Sequence, residues 1–163
     1  MNCSRLTISL IILCFLLPAL SGCQNTATLY LGKQVAAEEI VPIPGGVAKE
    51  TWQTDDLTLQ YGYQEDGDHL NISGQVTLAD QYSAIYHKLS RLDIYLVFLD
   101  HDSRVLATAV LLRNSTYTFD ETIKFAERLV MPSDAVSFSF AYDGSAVEFG
   151  KNGNQISFWH HPK

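Results

Sequence analysis

From Trp52 onward apolar and polar residues alternate with a period of two, the pattern of strands that bury one face. Leu57, Leu59, Tyr61 and Tyr63 alternate with Thr58, Gln60 and Gly62; Leu70, Ile72, Gly74, Val76 and Leu78 alternate with Asn71, Ser73, Gln75 and Thr77. Between the two runs, Glu65-Asp66-Gly67-Asp68 predicts a tight hairpin, because Asp-Gly supplies the positive φ angles such a turn needs. Tyr82, Ile85, Tyr86 and Leu89 then fall at helical spacing, so a short helix within 79–90 is expected to cross between sheets. Leu92, Ile94, Leu96 and Phe98 return to strand spacing, Asp100-His101-Asp102-Ser103 makes a turn, and Val105, Ala107, Ala109 and Leu111 follow. Pairing Leu99 with Arg104 places Phe98 opposite Val105, Leu96 opposite Ala107 and Leu92 opposite Leu111, all on one face. Further strands are predicted around Tyr117, Phe119, Ile123 and Phe125, and over 136–142, where Asp143-Gly144 is expected to end the run. Residues 149–154 read as a glycine-rich turn, and Ile156 and Phe158 close the series.

Seven or eight short strands with turn signals between them predict one antiparallel β-sandwich over residues 51–163. A barrel of the lipocalin sort is the runner-up, but it needs more and longer strands. In the 91–112 hairpin the outward face carries Tyr95, Val97, Leu99, Leu106, Val110 and Leu112, with Val97 expected opposite Leu106. A solvated sheet face is more polar than this, so something must cover it: residues 79–90, the segment before the domain, or a partner. Cover from within the chain is favoured, by the neighbouring 79–90 in particular, because it costs no association entropy. Tyr95, Val97, Leu99 and Leu106 are therefore the candidate interaction face.

The amino-terminal part follows another pattern. Residues 1–5 contain one cationic side chain, Arg5, and residues 6–19 are uncharged and rich in Leu and Ile. That stretch suits a signal-peptide core and is short for a bilayer span, which takes about 20 apolar residues. Pro18 breaks it shortly before Leu20-Ser21-Gly22-Cys23. These residues resemble the signal of bacterial lipoproteins, in which Leu, two small residues and Cys form the lipobox. The resemblance implies a diacylglyceryl thioether on Cys23, cleavage between Gly22 and Cys23, and acylation of the new amine. Cysteine usage agrees, since Cys3 and Cys14 lie in the segment removed and Cys23 is then the one thiol left. Gln24 follows Cys23 where Asp would resemble an inner-membrane retention signal. In a source with two membranes, this implies the outer membrane, facing the periplasm or the cell surface. Residues 23–50 are expected to be a lipidated, flexible tether, holding the domain about 30 Å from the lipid.

Residues 70–112 also resemble the immunoglobulin-like domains of bacterial envelope proteins known as FxLYD domains. Ile72-Ser73-Gly74-Gln75-Val76, Phe98-Leu99-Asp100 and Arg104-Val105-Leu106 carry the likeness. Leu96 and Leu99 stand where the naming Phe and Tyr would, and 79–90 reads as an insertion. The resemblance implies that the sandwich is immunoglobulin-like and transfers no catalytic residue.

Charge and chemistry narrow the functional classes. Eighteen Asp and Glu against eleven Lys and Arg give a net charge of −7, which excludes a general binder of nucleic acid. Removing Arg5 makes the domain more acidic still, so it is expected to stand off anionic headgroups. His69, His87, His101, His160 and His161 lack metal-ligand spacing and read as solvated side chains. Asp66-Gly67-Asp68 and Asp100-His101-Asp102 read as turn-capping acids rather than Ca²⁺ loops. Neither a metal nor a cofactor is expected, and no nucleophile stands out. Tyr82, Tyr86 and Trp159 are candidate binding aromatics, with core packing the stronger reading. The sequence thus predicts a non-enzymatic binding or scaffolding module, held to the membrane through lipid on Cys23, with an envelope protein as a candidate partner. An envelope hydrolase acting on carbohydrate or peptidoglycan, with carboxylates that meet only in three dimensions, is the alternative.

Overall fold

The computed structural model describes residues 28–43, 47–114, 122–148 and 153–163. The lipobox, Tyr117, Phe119 and residues 149–152 of the glycine-rich turn lie outside them. Nine strands form among the described residues: β1 Val41–Pro42, β2 Val47–Gln53, β3 Leu57–Asp66, β4 His69–Leu78, β5 Tyr86–Leu99, β6 Val105–Asn114, β7 Ile123–Val130, β8 Ser137–Glu148 and β9 Gln155–His160. One short helix, α1 (Asp80–Ile85), carries the chain from β4 to β5, as its spacing predicts.

Two antiparallel sheets face each other. One has the order β2-β3-β4-β7; the other has the order β1-β8-β5-β6, with β9 also paired to β8. The neighbours β3-β4-β7 and β5-β8-β9 stand as A-B-E and C-F-G of an immunoglobulin-like sandwich, with β6 added beside β5. This is the predicted fold class, built with more strands than predicted, and the barrel is excluded.

Period-two burial supplies the core. Leu57, Leu59, Tyr61 and Tyr63 of one sheet meet Phe138, Phe140, Tyr142, Leu92, Ile94, Leu96 and Phe98 of the other. Tyr61 packs edge-on against Phe140 at 4.8 Å and Tyr63 against Phe138 at 5.0 Å between ring centroids, the arrangement aromatic quadrupoles favour. The β3/β4 hairpin closes at Asp66 and His69 around Gly67, whose φ of +62° is the conformation expected of Asp-Gly.

Three local readings need correction. The β5/β6 register is Leu99↔Val105, Phe98↔Ala107, Leu96↔Ala109 and Leu92↔Asn114, with two bulges, rather than one uniform pairing from Leu99 and Arg104. Ser103 at φ +62° and the Asp100 carboxylate, which accepts from the backbone N–H of Asp102 and Arg104 at 2.9 Å each, set this longer turn. Val105 consequently faces outward, while Ala107, Ala109 and Leu111 face the core.

Asp143-Gly144 does not end β8, which runs on to Glu148. The missing side chain at Gly144 serves packing, because a Cβ there would lie 2.2 Å from the Phe158 ring.

The segment 23–50 is not a free tether throughout. Residues 28–43 pack on the sandwich, and β2 begins at Val47, so the folded unit starts well before 51. The physical cause is apolar area: Val35 and Ile43 are buried, and Leu29, Tyr30 and Ile40 pack behind them. Within this segment Ala37–Glu39 forms one turn of 3-10 helix, and residues 29–31 form a turn.

Candidate functional site: the outer face of the five-stranded sheet

Every residue of β5 from Leu92 to Leu99 is buried. Its inward residues fill the core, while Tyr95, Val97 and Leu99 point the other way and are still buried. Val97 and Leu99 are both 0% exposed because a second apolar cluster covers them, joining Val35, Val105 and Ala141 with Leu29, Tyr30, Ile40 and Val110. The cover therefore comes from within the chain, but from 29–40, not from 79–90. Two members of the expected face sit elsewhere. Leu106 is half-buried and belongs to neither cluster, since the bulge sets Thr108 opposite Val97; Leu112 packs against the main core.

Polar contacts lace the covering segment down. The Gly32 N–H donates to the Val105 carbonyl at 2.9 Å, the Val105 N–H to the Lys33 carbonyl at 2.9 Å, and the Val35 N–H to the Ser103 carbonyl at 3.0 Å. Gln34 and Lys163 exchange backbone bonds at 2.9 and 3.0 Å, tying this segment to the carboxyl-terminal residues. The Thr108 hydroxyl donates to the Leu29 carbonyl.

Side chains complete the lock. The Tyr30 hydroxyl reaches Asp143 Oδ2 at 3.5 Å, His161 Nε2 lies 3.0 Å from Asp143 Oδ1, and His160 Nε2 lies 3.1 Å from Glu39 Oε1. Burial, then the Asp143 charge, push the Tyr30 hydroxyl well above its ordinary pKa, so it stays protonated and donates. His160 and His161 are thus partnered, partly buried side chains rather than solvated ones, and His160 also stacks on Tyr142 and meets Trp52 edge-on.

Beyond the cover this face becomes polar. Asp93 stands directly opposite Asp143 across β5 and β8, bringing together two carboxylates that no sequence spacing links. Each already has its own partners. Arg91 Nε and Arg113 Nε lie 3.7 Å from the two oxygens of Asp93, while Asp143 takes His161 and Tyr30. Asp93 Oδ1 is buried without a hydrogen bond. Trp159 is paired with Asp143 on β9, so it points to the same outward side, and it is 61% exposed. The arrangement can hold the amino-terminal segment in place and present two arginines and one indole to whatever lies outside.

The other candidate aromatics belong to the interior. Tyr82 is buried, and both it and Tyr142 donate their hydroxyls to Asp56, Tyr142 at 2.7 Å. Tyr86 is half-buried beside Tyr82, with ring centroids 6.1 Å apart. His69 contacts Asp68, and His101 is exposed. Among the described residues, no group of three or more His, Cys, Asp and Glu is placed to hold a metal.

The outer face of the four-stranded sheet is different in kind. Its one-residue gap at Gly62 opens a shallow depression of about 310 Å³ lined by Lys49, Gln60, Gly62, Ser73, Gln75 and Lys124, with Tyr61 and Gly74 at its floor. The Gln75 amide donates to Gln60 Oε1 at 2.9 Å, and no ion pair among the described residues engages either lysine.

The fold and these two faces define an all-β sandwich that covers one of its sheets with its own amino-terminal segment. No family model matches the chain, and comparison with curated proteins and solved structures finds no match either. No helix among the described residues is long and apolar enough to cross a membrane.

Proposed function

We propose that this protein is a membrane-anchored extracytoplasmic lipoprotein of the bacterial cell envelope whose sandwich is a binding or scaffolding module. The anchor is the lipid on Cys23; an outer-membrane position follows from Gln24 where the source has two membranes. The observation that supports a binding role is the contrast between the two outer faces. The chain lays its amino-terminal segment over one sheet, and leaves the other with a depression at Gly62 lined by Gln, Ser and Lys side chains. Lys49 and Lys124, which enter no ion pair among the described residues, give this surface cations on a molecule whose net charge is negative, a pattern that favours an acidic envelope partner.

Two measurements test the reading. A clickable fatty acid should label the wild type and miss Cys23→Ser, which should also retain its signal segment; an unlabelled wild type ends the lipoprotein reading. A photo-crosslinking residue at Ser73 in the full chain should give a discrete adduct in cells, lost in Lys49→Glu/Lys124→Glu. A crosslinker at Ser73 that reacts only with water would end the binding role of this face.

A further inference from the structure

We infer that the outward side of the five-stranded sheet, around the 28–33 turn, Trp159 and Arg113, rests on the membrane surface itself. The inference takes the lipidation of Cys23 from the proposed function and adds which face the lipid holds down.

Chain length supplies the first argument. Five residue steps separate Cys23 from Thr28, and the carbonyl of the next residue, Leu29, already accepts from the Thr108 hydroxyl of β6. Fully extended, they reach about 18 Å at ~3.6 Å each. A sandwich of this size has a radius of gyration of about 14 Å and so a diameter near 36 Å. The leash is shorter than the body, so the side on which Thr28 emerges stays next to the lipid. The wide stand-off expected of a flexible tether over 23–50 no longer applies once residues 28–43 are part of the fold.

Surface chemistry supplies the second argument. Leu31, in the turn that lies over this face, is 57% exposed, and Trp159 on β9 is 61% exposed. An exposed indole and an exposed leucine beside a lipid attachment suit the interfacial zone, where Trp is enriched. Arg113 shares the cross-strand row of Trp159 through Asp93 and Asp143, and Arg91 and Arg113 expose 56% and 61% of their side chains. The strand carboxylates of this face, Asp93 and Asp143, lie largely beneath, each facing cationic or hydrogen-bonding partners; on the covering segment Glu39 pairs with His160 and Glu38 is exposed. The exposed groups in the row from Arg113 to Trp159 are thus a cation and an indole although the whole chain is acidic, which suits an anionic bilayer surface.

The test uses the mature lipidated protein reconstituted in phosphatidylglycerol-containing vesicles, with intact mass and flotation recorded first. Of the chain's two tryptophans, Trp52 is buried and Trp159 is exposed, so lipids brominated near the headgroup read out Trp159 alone. Wild-type emission should fall by about a third in brominated vesicles, consistent with an interfacial indole. The loss should vanish in Trp159→Phe, whose remaining Trp52 emission also reports that the fold is intact. Leu31→Glu should at least halve the quenching. If the protein carries its lipid and floats but brominated lipid leaves its emission unchanged, the docking inference is overturned while the anchor stands. If the mass lacks the lipid, the lipoprotein reading fails, and this inference fails with it. Trp159 shielded from aqueous iodide, yet unquenched by brominated lipid, would assign the face to a protein partner and overturn the inference as well.

Discussion

At Gly144 one hydrogen atom decides whether β9 can close over β8. A methyl group there would fall 2.2 Å from two carbons of the Phe158 ring, so Gly144→Ala should cost about 1–3 kcal/mol in chemical denaturation. In the sequence Asp143-Gly144 looks like a turn; its real task depends on Phe158, which lies fourteen positions further along the chain. Val97 makes the opposite point. Its side chain is 0% exposed under the amino-terminal segment, so Val97→Asp would bury an unpaired carboxylate and should destabilise by about 3 kcal/mol or more. The wild type should be monomeric by light scattering. A Val97→Asp variant with unchanged Tm would show that a second molecule, and not the chain, covers this face.

At the scale of elements, local and distant determinants separate cleanly. The β3/β4 hairpin is readable because its turn is two residues of favourable chemistry flanked by regular alternation, and its ladder runs unbroken from Asp66↔His69 to Leu57↔Leu78. The β5/β6 register is not readable, because Asp100 caps the turn and Ser103 enters the left-handed region, each shift moving every later pair. The amino-terminal segment is the clearest failure of local reading. Its Pro and Gly content suggests a linker, yet Leu29, Tyr30, Val35 and Ile40 are spent on the apolar side of β5. Hydrogen exchange tests this directly. The amides of Gly32, Gln34 and Val35 donate to Val105, Lys163 and Ser103 and should be protected well beyond free-chain rates. Exchange at free-chain rates would mean that the segment does not stay docked.

The whole molecule carries a pH signature in its tyrosines. Burial is the leading cause that raises the hydroxyl pKa of Tyr30, Tyr61, Tyr63, Tyr82, Tyr95 and Tyr142, helped by Asp143 at Tyr30 and by Asp56 at Tyr82 and Tyr142. In the unfolded chain these groups lose protons near pH 10, whereas the folded chain retains them. The folded state therefore binds more protons above that pH. Stability is fully present below about pH 10 and falls as the pH rises beyond it. The urea midpoint should drop between about pH 8 and about pH 11, and Tyr82→Phe or Tyr142→Phe should flatten that drop. A midpoint that is independent of pH across this range would show that the tyrosines are solvated in the folded state.

The sequence by itself determined the strand alternation, the tight hairpin at Gly67, the crossing helix and the need for a cover over Tyr95, Val97 and Leu99. Each rests on neighbours a few residues apart, where period and turn chemistry act. Tertiary structure decided which segment supplies that cover, the bulged register of β5 and β6, the pairing of Asp93 with Asp143, and the anchoring of Tyr30 and His161 on the same carboxylate. Those outcomes join residues more than a hundred positions apart in the case of Tyr30 and Asp143, and burial energy depends on what meets in space and not on spacing along the chain.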